Sequence, residues 1–204
     1  MYALITDGSI TKYLSGNRGI TIGGIQYPQN IFTVWTESQR NAIGIFEVIQ
    51  NNSKKKDEEY YTNTNQTFTY DADAGTVTAT YGDATAKAHA DTLYTEDDED
   101  NGLGTEGEVK VEGLKTKLIR TVKSQAAGIL QDTDWYIVRK ADAGTAVPSS
   151  ITTHRAAVRT KCASQETQIT NASDTPALET LYTHTKQEDG SVTRPLGQLP
   201  TLES

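Results

Sequence analysis

Residues 96–108 read EDDEDNGLGTEGE, and the pattern of apolar residues differs on the two sides of this run. Upstream, apolar residues alternate in short groups bounded by Gly, Asn or Asp, which is typical of strands joined by turns. Downstream, apolar residues recur at spacings of four, four, four and three, as on one face of a helix: Leu114, Leu118, Val122, Ala126 and Ile129. The acidic run itself repels its own charges, which favours a flexible linker.

The sequence therefore predicts an α+β protein with two small domains. A β-rich domain with hairpins and one short helix is expected over 1–95, and the acidic, Gly-rich linker follows at 96–108. A helical domain is expected over 109–182 and an extended tail over 183–204. An apolar share of 35% supports two modest cores better than one large core.

Turn residues place the strands of the N-terminal part. Asp7-Gly8 predicts a tight turn between strands at 2–6 and 10–14, whereas Gly23-Gly24 suggests a bulge or bend. Between Trp35 and Gly44 the pattern predicts a brief helix. Thr36 and Gln39 would form its capping box, and Gly44 would supply the left-handed stop.

The segment QTFTYDADAGTVTATY (66–81) predicts a hairpin that turns at DADAG (71–75). DADAG resembles the start of a calcium loop, but Ala74 stands where a third oxygen ligand is needed, so a plain turn is favoured. The aromatic side chains of this hairpin are predicted to bury the inner face of a small sheet. Their exposure would instead suit stacking on sugars, and the side chains concerned are Phe68, Tyr70 and Tyr81.

Charge and composition narrow the classes of function. The net charge of −8 and the pI of about 4.9 disfavour binding to phosphate backbones, so no nucleic-acid partner is expected. The chain begins MYALITDGSI, which has no signal-peptide pattern, and no apolar run approaches 18 residues, so membrane insertion is not expected. The single Cys162 rules out an internal disulfide and leaves open an interchain one, although a buried core cysteine is favoured.

No pattern predicts catalysis, a cofactor or a metal site. The three histidines are far apart in sequence, and His154 and Cys162 lie eight residues apart on one predicted helix. That separation is about 12 Å along a helix axis, too far for a hydrogen bond. We therefore predict a protein that is not an enzyme and that has no catalytic residues, no cofactor and no metal.

The C-terminal part shows how two helices could be joined. Asp132, Thr133 or Asp134 can cap a short helix that carries Trp135, and Pro148 opens a longer helix with Arg155 on its apolar line. The Arg155 guanidinium is expected to reach Asp132 or Asp134. Trp135 is expected to fill a small core between the helices, with a binding anchor as the alternative. The basic face of the preceding helix is read as solvated, with an acidic partner as the alternative: Lys115, Lys117, Arg120 and Lys123.

The run TDWYIVRKADAGTAVPSSITTHRAAVR (133–159) resembles the small helical domain of the phage tail assembly chaperone family, which also occurs in C-terminal parts of phage tail and tail-fibre proteins. The segment YPQNIFTVWTESQRNAIGIFEV (27–48) is similar to a piece of phage proteins of the same kind. Together the resemblance covers roughly 27–82 and 112–182. The positions that match the helical motif are Thr133, Asp134, Trp135, Arg139, Pro148, Arg155 and Arg159. The residues read as a structural and interaction motif are Asp132, Asp134, Trp135, Arg139, Pro148, Arg155 and Arg159.

This resemblance implies a tail or tail-fibre-associated structural protein that docks onto other tail, fibre or baseplate proteins. The alternative that it implies is a tail or tail-fibre assembly chaperone that is absent from the mature virion. A receptor-binding module for glycans is a further alternative, resting on the aromatic hairpin. The resemblance implies synthesis in the host cytoplasm and a final place in the virion tail, or in the cytoplasm only for a chaperone. Homo-oligomerisation is left open.

Overall fold

A computed structural model of the chain describes residues 1–202. The chain divides into two compact units, with the boundary after Thr85. β-structure dominates the first unit and helices dominate the second, which confirms the predicted α+β class. The predicted boundary at the acidic run was placed too late, because residues 86–108 fold with the second unit.

The strands of the first unit are short. They are β1 (Tyr2–Thr6), β2 (Ser9–Leu14), β3 (Ile20–Ile22), β4 (Ile25–Tyr27), β5 (Ile45–Asn51), β6 (Tyr61–Thr62), β7 (Gln66–Asp71), β8 (Thr76–Tyr81) and β9 (Thr85–Ala86). A 3₁₀ helix at Gln29–Phe32 and α1 (Glu37–Asn41) lie between β4 and β5.

Five of these strands form one curled sheet in the order β2-β1-β5-β8-β7. Its pairs are antiparallel except β5–β8, which run parallel with Val48 opposite Val77. The curl brings the two edge strands together, since the rings of Tyr13 and Phe68 lie 4.6 Å apart. One apolar cluster packs around Val77, and a second packs around the fully buried Ile31 and Ile45.

Glycine-containing turns close the hairpins β1–β2 and β3–β4. Asp7 and Gly8 have φ of 50° and 74°, so the predicted tight turn between β1 and β2 is confirmed. Gly23 and Gly24 also have positive φ, 56° and 83°, and they join β3 to β4. Of the predicted bulge or bend, the chain therefore makes a bend: paired left-handed glycines form a two-residue hairpin turn whose twist suits the flanking strands.

The predicted cap and stop of α1 are confirmed. Thr36 Oγ1 accepts a hydrogen bond from the Gln39 N–H, and the Gln39 side chain accepts one from the Thr36 N–H. Gly44 follows in the left-handed conformation at φ 81°.

Gly44→Ala is expected to destabilise the first unit by about 2 kcal/mol, because an added Cβ would strain this φ and would lie 2.6 Å from the Ile5 carbonyl oxygen. Gly23→Ala is the matched control, since its φ is also positive but its Cβ would meet no atom within 4 Å. Chemical denaturation of the full chain, followed at two or more wavelengths, would compare them. Equal losses from both substitutions would contradict the role of the close contact.

The DADAG segment is a turn, as predicted. The Asp71 carboxylate accepts hydrogen bonds from the N–H groups of Asp73 and Ala74, 3.0 and 2.9 Å away. This side chain closes the β7–β8 turn with its own backbone. Phe68 and Tyr70 of β7 are half-buried against the Val77 cluster, which confirms that these two rings cover the inner face of the sheet.

The second unit contains the long helices. Its elements are β10 (Thr92–Leu93), α2 (Glu96–Asp100), β11 (Val109–Val111), α3 (Leu114–Gln131), α4 (Asp134–Ala143), α5 (Ser149–Asn171), α6 (Thr175–Tyr182), β12 (Thr185–Lys186) and β13 (Val192–Thr193). The predicted stripe of α3 is confirmed, since Leu114, Leu118, Val122 and Ala126 are buried. The predicted apolar line of α5 is also buried: Ile151, Arg155, Val158, Cys162 and Ile169.

The acidic run is structured, which corrects the prediction of a flexible linker. Thr95 caps α2 through a reciprocal pair of bonds with Asp98, and Lys110 lies 2.7 Å from the Asp98 carboxylate. The hydrogen bond with Lys110 holds the pKa of Asp98 below its usual range. Acidic residues at a helix N-terminus are favoured by the helix dipole, so the run can fold despite its charge.

The expected tail also folds, at least in part. Residues 185–193 contain the β12–β13 hairpin, and Leu196 is fully buried. The Gln165 side-chain amide on α5 donates to the Gly197 carbonyl, 3.1 Å away. We call residues 194–199 the C-terminal strap, because they are held against α5 by Leu196 and Gln165 rather than by a long regular element.

Candidate functional site

The junction between α3, α4 and α5 is built around Arg155. Its guanidinium Nη1 donates to the Leu130 carbonyl and to Thr133 Oγ1, each 2.7 Å away. Its Nη2 lies 2.8 Å from the Asp134 carboxylate. Arg155 is only 7% exposed, so these bonds form in a largely desolvated place. The arginine thereby joins the end of α3 and the first residue of α4 to α5.

The structure chooses between the two predicted partners of Arg155. Asp134 forms the ion pair, whereas Asp132 is exposed at the end of α3. Of the three predicted cap residues, Thr133 occupies the N-cap position of α4, although its side chain makes no capping hydrogen bond, and neither aspartate is the N-cap. Thr133 is 2% exposed, and its hydroxyl donates back to the Leu130 carbonyl at 2.9 Å. The Thr133 oxygen accepts a hydrogen bond from Arg155 instead of capping α4.

Helix α4 carries an exposed apolar surface. Trp135 is 60% exposed, Ile137 43% and Val138 62%, and every residue of α4 is at least partly exposed. The expectation that Trp135 fills a core is therefore wrong. The sequence shows that Trp135 lies at the start of a helix. Whether its side chain is buried depends on whether another element covers it.

Arg139 organises the aromatic side chains of α4. Its guanidinium carbon lies 5.3 Å from the centre of the Trp135 ring and 5.4 Å from that of Tyr136. Arg139 therefore makes cation–π contacts with both rings. These contacts restrict the rotamers of Trp135 and Tyr136 but leave most of the indole exposed. We call Trp135, Val138 and Arg139, which are three or four positions apart or adjacent on α4, the α4 surface.

The remaining motif residues, Pro148 and Arg159, are not part of the α4 surface. Pro148 is the N-cap residue of α5, and Gly144 ends α4 in the left-handed conformation at φ 69°. Arg159 is exposed on α5, one turn beyond Arg155. The motif thus separates into a buried clamp around Arg155 and the exposed α4 surface.

The basic face of α3 is largely neutralised by the chain itself. Arg120 donates two hydrogen bonds to the Glu112 carboxylate at 2.8 and 2.7 Å, which lowers the pKa of Glu112 and raises that of Arg120. Lys123 lies 3.1 Å from Glu166, and Lys115 donates to the Thr170 carbonyl at 2.8 Å. The contacts with Glu166 and Thr170 tie α3 to α5, so this face is better explained as internal bonding than as a grip for an acidic partner.

Cys162 is buried, as predicted, and its thiol donates to Glu166 at a distance of 3.4 Å. Burial raises the pKa of this thiol, and the neighbouring Glu166 raises it further. A nucleophilic cysteine needs a lowered thiol pKa, because the thiolate is the reactive form. Cys162 therefore acts as a small apolar residue of the α3–α5 core.

Sequence reasoning missed Asp91. Its carboxylate accepts hydrogen bonds from the Gly113 N–H and from Thr116 Oγ1, both 2.7 Å away, and so satisfies the N-terminus of α3. These bonds, that of Thr116 first, lower the pKa of Asp91. The bonded groups are 22 and 25 positions away, so no local capping pattern marks this aspartate.

Within residues 1–202, no helix is long and apolar enough to cross a membrane. The same described part of the chain holds no group of three or more His, Cys, Asp or Glu side chains arranged for a metal ion. Comparisons with protein-family models, with curated proteins and with solved structures found no match for this chain.

Proposed function

We propose that the protein is a non-enzymatic docking component of a bacteriophage tail or tail fibre, and that it attaches to its partner through the α4 surface. The observation that carries this proposal is the exposure of Trp135, Ile137 and Val138 on one short helix. The resemblance of 133–159 to helical domains of phage tail proteins supplies the class of partner.

A ten-residue helix is too short to be stable alone in water. Fixing α4 to the rest of its unit by the Arg155–Asp134 pair keeps it folded while its apolar side chains remain uncovered. Trp135 and Val138 lie three positions apart and are therefore neighbours on one side of α4. Neighbouring exposed apolar side chains are typical of interaction sites. Tryptophan and arginine are also the residue types that contribute most to binding energy at protein interfaces.

The α4 surface is prepared for binding before the partner arrives. Arg139 already packs on Trp135 and Tyr136, so less rotamer entropy is lost on docking. The buried clamp serves a different purpose, because Arg155 and Thr133 face the interior of the unit. We therefore assign partner contact to the α4 surface and orientation of α4 to Arg155.

The partner can be identified by photo-cross-linking. The full chain with p-benzoylphenylalanine in place of Val138 should cross-link, in cells making phage, to a tail, fibre or baseplate protein identified by mass spectrometry. The same photoreactive residue in place of Val34, an exposed valine of the first unit, is the matched control. Cross-links at 138 only to proteins unrelated to the virion would contradict the proposal.

Trp135→Ala combined with Val138→Ala is expected to weaken binding to that partner by at least about tenfold, because two apolar anchors of a docking face are removed. The melting temperature should change little, since both side chains are more than half exposed. Isothermal titration with the purified partner would measure the affinity. Unchanged binding would show that the contact surface lies elsewhere.

An assembly chaperone would use the same exposed helix to shield a tail or fibre subunit and would then leave. Mass spectrometry of density-purified particles separates the two roles. We expect the chain in the particles, as a structural component. Its absence from them, together with a complex in the lysate, would assign the chaperone role.

A further inference from the structure

The first unit has a cleft of about 600 Å³ beside the end of β2, a size that suits a small ligand. Leu14, Ile20 and Phe32 contribute its apolar floor, and each is less than a tenth exposed. Lys12 and Arg18 stand at its exposed rim, and the loop that carries Arg18 adds backbone groups and the Ser15 hydroxyl.

The two rim cations differ from the other basic residues of the first unit. Arg40 lies 3.9 Å from Glu47, Lys54 2.9 Å from Asp83, and Lys55 3.2 Å from Glu58. Lys56 lies over the Tyr61 ring. Lys12 and Arg18, by contrast, have no ion pair, ring contact or side-chain hydrogen bond among the described residues 1–202.

Acidic side chains are also missing from the neighbourhood in sequence. Residues 8–36 contain Lys12 and Arg18 but no Asp or Glu, although the whole chain has a net charge of −8. Within the described part of the chain, no acidic residue lines the cleft. A concave site lined by one sign of charge concentrates ions of the opposite sign, so this cleft attracts anions that the rest of the surface repels.

We propose that this cleft binds a small acidic saccharide, a sugar unit that carries a carboxylate or phosphate. The Arg18 guanidinium and the Lys12 ammonium would hold the anionic group by charge-assisted hydrogen bonds. The Ser15 hydroxyl already donates to the Asn17 side chain, so its oxygen would accept from a sugar hydroxyl. The loop backbone and the Thr21 hydroxyl would bond further sugar hydroxyls, while the apolar floor would contact the ring face. The lining of this cleft comes from residues 12–32 and includes no residue of the hairpin 66–81 or of the α4 surface.

The proposal is tested by isothermal titration of the full chain with trigalacturonate and with glucose 1-phosphate at low ionic strength. Saturable binding of at least one of the two ligands is expected. Comparing their affinities shows whether the cleft prefers a carboxylate or a phosphate. Maltotriose, which lacks the charge, should not bind. Lys12→Ala with Arg18→Ala should weaken binding by at least about tenfold, because charge-assisted hydrogen bonds are lost.

Two controls make the result decisive. Lys54→Ala with Lys56→Ala removes the same charge away from the cleft and should change the affinity less than about twofold, since distant charges are screened. Lys12→Arg with Arg18→Lys should retain binding. The proposal is overturned if neither acidic sugar binds, if both double alanine variants lose affinity equally, or if a triglutamate peptide binds more tightly than trigalacturonate.

Discussion

Arg155→Ala is expected to destabilise the second unit by about 2–4 kcal/mol, the cost of breaking a buried, hydrogen-bonded charge pair, reduced because the Asp134 side chain is 54% exposed. The substitution removes three bonds at once: those to the Leu130 carbonyl, Thr133 Oγ1 and the Asp134 carboxylate. Urea denaturation followed by circular dichroism at 222 nm would report this loss, since the long helices all belong to this unit.

Arg159→Ala is the matched control, because Arg159 lies one turn further along α5 and is exposed. It should change stability by less than about 0.5 kcal/mol, as is usual for surface positions. Arg155→Lys should fall between the two, since one ammonium cannot reproduce the planar fork. If Arg155→Ala and Arg159→Ala changed the free energy of unfolding by the same amount, the bonds of Arg155 would not contribute to stability.

Leu196→Ala is expected to destabilise the second unit by about 3 kcal/mol. Leu196 is 0% exposed, so truncation removes buried apolar contacts and leaves a cavity. Its backbone N–H also donates to the Leu181 carbonyl at 3.0 Å, which fixes the C-terminal strap next to α6. The same urea denaturation would measure the effect.

Leu202→Ala provides the comparison, because Leu202 belongs to the same terminal segment but is 46% exposed. Its stability should stay within about 0.5 kcal/mol of the unchanged protein. Comparable losses for the two leucines would mean that the terminal segment acts as a whole. No loss from Leu196→Ala would mean that the C-terminal strap contributes little to the fold.

Local sequence patterns identified the regular elements with good accuracy. The α3 stripe and the α5 line repeat at helical spacing, and the capping box of α1 involves residues three positions apart. Such signals act within one or two turns of chain, so they can be read without knowing the fold. The Arg155–Asp134 pair was also predictable, because an arginine on an apolar line needs a nearby acid.

Predictions that depended on distant contacts were less successful. The acidic run 96–108 was expected to be flexible, and 183–204 was expected to be an extended tail. Lys110 pairs with Asp98, and Leu196 finds a fully buried place, both through residues outside the local window. Asp91 was missed for the same reason, since its partners Gly113 and Thr116 are far along the chain.

By itself, then, the sequence determined the α+β class, the apolar stripe of α3 and the arginine that clamps α4, because these depend on periodicity and short-range chemistry. Only the tertiary structure decided which side chains are covered. It left Trp135 and Val138 exposed on α4, and it gathered Lys12 and Arg18 at one cleft. Burial and charge pairing depend on which elements pack together, and that follows from contacts between residues distant in the chain.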